Sequence, residues 1–112
     1  MTTTTPKQAF DPYLLPDVTG TAYLVPTNTV AVVKHLAVHN TSDTPVEVTV
    51  WLVENGGTAT DSNQIFKRKI AGYDGKIVFP AINATLETGA TIQAKADTVS
   101  VISIFGSVNE VV

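Results

Sequence analysis

The chain has 112 residues, no cysteine, 15% charged residues and a formal net charge of -3. That length fits one compact core, and the missing cysteines exclude a disulfide scaffold, a thiolate zinc site and a thiol nucleophile. The mild acidity argues against nucleic-acid binding through a basic surface, and no apolar run approaches the roughly 20 residues that cross a bilayer.

Composition points to sheet. Sixteen valines, seven isoleucines and seventeen threonines make up more than a third of the residues. Their stiff side chains disfavour helix and suit a pleated surface, and no dozen-residue window has a clean 3.6-residue apolar period.

Residues 1–20 are expected to form an extended N-terminal arm, ahead of a β-sandwich domain at 21–112. The arm starts with Thr2 to Thr5, and Pro6, Pro12 and Pro16 follow at near-regular intervals. Each proline removes a backbone donor, so a helix or central strand is not expected. Met1–Phe10 also lacks the apolar centre of a secretory signal, so synthesis in the cytoplasm is expected. Phe10, Tyr13, Leu14 and Leu15 are too apolar for a plain linker. They suit either a strap on their own domain or an arm on a neighbouring subunit.

Strand signals then recur at short spacing. Thr21–Val25 stops at Pro26. In Thr29–His39, Val30, Val32, Lys34, Leu36 and Val38 share one face, opposite Ala31, Val33, His35, Ala37 and His39. The turn-rich run 40–45 leads into Val46–Glu54, where Val46, Val48, Val50 and Leu52 oppose Glu47, Thr49, Trp51 and Val53; these two strands predict a hairpin. Asn55-Gly56-Gly57 opens a polar loop to Asn63. Gln64–Ile70, Lys76–Phe79 closed by Pro80, and Ile82–Leu86 follow. Thr91–Ala96 and Val99–Phe105 predict a second hairpin about Asp97-Thr98. About eight strands without crossover helices imply an antiparallel two-sheet β-sandwich, jelly-roll or immunoglobulin-like.

No catalytic or metal constellation emerges. His35 and His39 lie in one strand about 13 Å apart, too far to share an ion bound at about 2 Å. Asp61 and Asn63 start a calcium-loop pattern that fails at Ile65 and Phe66. No nucleophile elbow or phosphate loop is present. Lys67-Arg68-Lys69 suits a solvated edge strand. Asn40-Thr41-Ser42 and Asn83-Ala84-Thr85 match the glycosylation pattern but are more simply turn asparagines. Trp51, opposite the valine stripe, suits a covered core position, a subunit contact or a sugar-stacking platform.

Tyr23-Leu24-Val25-Pro26, Val30–Lys34, Asn40-Thr41-Ser42, Val48–Val53, Gly56-Gly57 and Leu86–Ile92 all lie within residues 21–96. Over that span the chain resembles small β-sandwich virion proteins of tailed bacteriophages. The resemblance implies a structural protein of the virion, a capsid decoration or cement protein, with no enzymatic activity and no cofactor. Its partners would be a major capsid or tail protein and further copies of itself, as a dimer or trimer, with neither nucleic acid nor membrane involved. Contacts through Phe10, Tyr13, Leu14 and Leu15 would bridge subunits. The alternative is a tail or fibre module that binds a receptor or carbohydrate, with Trp51 and the 55–63 loop as an aromatic shelf.

Overall fold

The structure, a computed structural model, describes residues 3–9, 13–73 and 75–112, with only the backbone for Tyr13 and residues 76–83. Nine strands account for most of these: β1 (Thr4–Gln8), β2 (Tyr13–Leu14), β3 (Gly20–Leu24), β4 (Val30–Asn40), β5 (Val46–Val53), β6 (Gln64–Ile70), β7 (Lys76–Leu86), β8 (Thr91–Ala96) and β9 (Ile102–Val111). No helix occurs among the described residues. Every pairing is antiparallel.

One sheet runs β1-β9-β4-β7, with β2 also paired to β9; the other runs β3-β8-β5-β6. From β2 onward the chain changes sheet at every connection except β5 to β6. That interleaving is the jelly-roll order. In an immunoglobulin-like sandwich, neighbours in sequence repeatedly share a sheet, so the alternative left open by the sequence is resolved.

Both predicted hairpins are corrected by this order. β4 and β5 lie in different sheets, as do β8 and β9. The turn-rich segments between them are crossovers. Asn40, fully buried at the end of β4, donates from Nδ2 to the carbonyls of Thr44 (2.8 Å) and Ile70 (3.0 Å). Its Oδ1 accepts from the Ser42 amide (2.9 Å) and hydroxyl (2.7 Å). The side chain thereby fixes the bend and ties β4 to β6 in the opposite sheet. At the β8–β9 corner, Asp97 stays with the second sheet by donating its amide to Glu47 O (2.9 Å). Ser100, at φ 62°, then turns the chain to the first sheet, where its amide meets Leu15 O (3.1 Å).

Three further expectations shift. The two runs around Pro80 form one strand, β7, because β7 is a sheet edge, where a missing donor need not break a ladder bond. The last strand begins at Ile102, not Val99. In β4, Lys34 is an extra residue against β9, where Val33↔Val108 is followed directly by His35↔Ser107, and the pairing with β7 also shifts at this point, which changes the phase of the alternation. Ala31 and Val33 therefore point inward together with Leu36 and Val38, and all four are buried. The valine stripe of β5 does face the core: Val46, Val48 and Val50 pack with Ile92, Ala94 and Ala96 of β8 and with Ile102, Ile104 and Val108 of β9.

Candidate interaction surfaces

The N-terminal residues lie along β9 of their own chain. Thr3 and Val112 exchange amide–carbonyl bonds at 3.0 and 2.9 Å, β1 continues the ladder from Thr4↔Val111 to Gln8↔Ser107, and Ala9 donates to Gly106 O at 2.9 Å. β2 resumes at Tyr13↔Ile104 and Leu14↔Ser103, and Leu15 donates to Ile102 O at 2.8 Å. All five side chains of β1 are exposed, whereas Ala9 and Leu15 belong to the core.

The four arm residues singled out by sequence are thus placed differently from one another. Phe10 lies outside the described residues, and for Tyr13 only the backbone is described. Leu14 is 46% exposed and opposes Ser103. Phe105, two residues along β9, is also exposed. Leu15 is 0% exposed, so in the single chain its contacts are with its own sandwich.

A polar node joins the arm to both sheets. Glu110 of β9 accepts the hydroxyl hydrogen of Tyr23, from β3 in the opposite sheet, and its other oxygen lies 3.5 Å from Lys7 Nζ of β1. Burial, reinforced by the hydrogen bond and the charge of Glu110, pushes the Tyr23 phenol well above its ordinary pKa. The phenol therefore remains a donor at all ordinary pH values.

Trp51 lies on the outer face of the second sheet, opposite Gln64 in β6 and Gln93 in β8. The next pair position on that face sets Thr49 between Lys67 and Lys95. Trp51 is only 7% exposed. That leaves too little ring face for a sugar to stack on. The 54–63 loop is closed on itself, with Asn63 accepting from Thr60 N (2.9 Å) and donating to Thr58 O (2.8 Å). The two therefore build no aromatic shelf.

The basic run lies on β6, an edge of the second sheet, with Lys67, Arg68 and Lys69 all exposed. Like charge along an edge discourages another strand from pairing there. His35 and His39 face outward on the first sheet, opposite Ser107 and Ser103. Among the described residues, no three His, Cys, Asp or Glu side chains cluster closely enough to hold a metal. A shallow cavity of about 290 Å³ lies beside β5 and the β7–β8 turn, between the buried Leu86 and Ala90 and the exposed carboxylates of Glu54 and Glu87.

One end of the sandwich displays apolar side chains that sequence reasoning missed. Its four loops are joined by backbone bonds: Ala96 N to Pro16 O (3.0 Å), Tyr73 N to Ser42 O (3.0 Å), Asn40 N to Gly75 O (2.9 Å) and Thr41 N to Val101 O (2.8 Å). From this linked base project Val18, Val99 and Tyr73, the last 80% exposed and held at φ 55°. A positive φ is rare for an aromatic residue and requires support from its surroundings. The signal in the sequence was an aromatic inside Gly72-Tyr73-Asp74-Gly75, otherwise a plain turn.

No protein-family model matches the chain, and no curated protein matches its sequence. Among solved structures, the chain is similar to the protein of Bacillus endospore appendages, which form a novel family of disulfide-linked pili. That match has 11% identity and a TM-score of 0.59, over 98% of this chain and 88% of the other. A match to infectious bursal disease virus, Gx strain, has 17% identity and a TM-score of 0.45, with this chain spanning 33% of that one. Another, to the virus-like particle of the extra small virus of the giant freshwater prawn Macrobrachium rosenbergii, has 9% identity and a TM-score of 0.42, over 95% of this chain and 79% of that one. At these identities the likeness is one of fold, and the pilus protein carries it.

Proposed function

We propose that the chain is a structural subunit of a bacteriophage virion, a decoration or cement protein that acts by non-covalent contact. The observation that carries this reading is the linked loop end, where Val18, Tyr73 and Val99 stand in solvent on a braced base. Apolar groups held out on a rigid scaffold contribute to binding when a partner buries them, at little ordering cost. The sheet edges add to this. β6 is charged and β3 is short and bulged, but β7 runs eleven residues with Lys76 as its only charge. Such an edge accepts a partner's strand more readily than β3 or β6 does. The jelly-roll likeness to a pilus protein fits an assembling subunit. That protein's pili are disulfide-linked, whereas this chain has no cysteine, so its own assembly would rest on burial and strand contacts.

The test is co-sedimentation with the particles of the virus that encodes the chain, identified by capsid or tail genes beside its own. The intact chain is expected in the particle fraction. A Val18→Ser, Tyr73→Ser, Val99→Ser variant should keep its melting temperature and lose most of that binding. Equal binding by the variant would overturn the role of the loop end. Absence of the intact chain from particles would overturn the function.

A further inference from the structure

We propose that the N-terminal strap, described over residues 3–9 and 13–15, is exchangeable: it leaves the β9 edge of its own chain and occupies the same edge in a second copy when subunits assemble. The proposal rests on the reading of the chain as an assembling subunit and gives that assembly a mechanism.

The backbone of the strap pairs with one neighbour. Among the described residues, the backbone partners of 3–9 and 13–15 all fall in the stretch 100–112. The strap's ion pair from Lys7 to Glu110 ends on the same strand. The strap is thus held at the edge of one sheet, and no other strand pairs with it among the described residues. β1 places none of its side chains in the core. Two anchors, the small Ala9 and the fully buried Leu15, do enter it.

Such a segment is separable. Another copy's strap carries the same sequence and offers the same ladder, ion pair and anchors, so exchange creates no contact the closed chain lacks and loses none. The balance is then set by concentration and by the connection. That connection, residues 16–19, holds Pro16 together with the exposed Asp17 and Val18. Proline stiffens the link and restricts the residue before it, which limits how comfortably the strap folds back. The occupant is a second copy because its strap repeats the sequence that here pairs with β9 at Thr4↔Val111 to Gln8↔Ser107 and at Tyr13↔Ile104 and Leu14↔Ser103.

The cysteine-free chain permits a direct test. The amide–carbonyl bonds at Thr3–Val112 and Ala9–Gly106 make the odd-numbered strap residues the hydrogen-bonded pairs. Gln8↔Ser107 is then a non-hydrogen-bonded pair, in which side chains approach most closely and a disulfide fits best. Full-length Gln8→Cys and Ser107→Cys chains would be mixed in equal amounts, concentrated until sedimentation shows assembly, and oxidised. Exchange predicts a non-reducing band at twice the 11.9 kDa chain mass. Mass spectrometry should assign it to a disulfide joining position 8 of one chain to position 107 of the other, several-fold above either symmetric disulfide. Assembly with only the symmetric background would overturn exchange and leave the structural function standing. A sample that stays monomeric at every concentration would overturn both. As a second arm, the Gln8→Cys, Ser107→Cys double variant oxidised while dilute locks each strap at home. It should assemble at least several-fold less than when reduced, and equal assembly in the two states would also overturn exchange.

Discussion

Asn40 and Ile70 come from opposite sheets, and the amide nitrogen of one lies 3.0 Å from the carbonyl oxygen of the other. With two further acceptances and one further donation, every hydrogen-bonding position of the Asn40 amide is used inside the protein. A buried group satisfied in this way is costly to remove, because its partners are left without water.

Asn40→Ala is therefore expected to destabilise the fold by roughly 1–3 kcal/mol, since the buried Ile70 carbonyl loses a donor, whereas the exposed Thr44 carbonyl still accepts from Ser42 Oγ (3.0 Å). Asn40→Asp should also destabilise, because a carboxylate offers no hydrogen to either carbonyl. Urea denaturation of both variants checks this. A loss under about 0.5 kcal/mol, the level of an ordinary surface change, would mean that the bond between the sheets is not structural.

Gly72 braces the same end of the sandwich. A Cβ built there would lie 2.6 Å from the carbonyl oxygen of Asp43 and 2.7 Å from the Thr44 amide nitrogen, so main chain, not a flexible side chain, would have to move. Gly72→Ala should cost about 1–3 kcal/mol, the range for overpacking, and should part the 41–45 and 71–75 loops. Thermal melting gives the cost. Loss of amide-exchange protection at Tyr73, whose amide bonds to Ser42 O, locates it.

Leu14 and Leu15 separate stability from contact. Leu15→Ala removes a fully buried side chain and should cost roughly 2–5 kcal/mol, as large-to-small core changes do. Leu14→Ala, at a 46% exposed position, should change stability by less than about 0.5 kcal/mol. Denaturation of the dilute chain measures both. Equal, small losses would mean that residue 15 does not seat in its own core.

What the sequence made legible was periodicity, and what it hid was partnership. Alternation identified β5 and β8 and placed Val46, Val48 and Val50 inward, because a period of two follows from strand geometry alone. The pairing of β4 with β9, some 70 residues away, leaves no local trace. The turn chemistry at 40–45 suits a crossover as well as a hairpin, and the Asn40 bond to Ile70 decides between them. The Lys34 bulge was equally hidden: an extra residue looks like any other until two neighbouring strands shift register around it. Among the arm residues, composition marked Leu14 and Leu15 alike as apolar, yet one faces solvent and the other the core. Only the register on β9 distinguishes them.

Tyr23 makes stability depend on pH at the alkaline end. In the unfolded chain its phenol ionises near its ordinary value of about 10, whereas in the folded chain burial and the nearby Glu110 carboxylate hold the proton to well above that. Above pH 10 the unfolded state therefore binds fewer protons than the folded one. The contribution of the group is accordingly fully present below about pH 10 and is lost as pH rises toward the folded value. Tyr23→Phe removes the titrating group and the hydrogen bond to Glu110 together. At pH 8 the variant should be less stable by about 1–2 kcal/mol, and from pH 9 to 11 its stability should fall less steeply than that of the wild type. Urea midpoints across that range decide the matter. Parallel declines would show that the alkaline loss comes from elsewhere, while converging curves would locate it in the Tyr23–Glu110 bond that fastens β3 to β9.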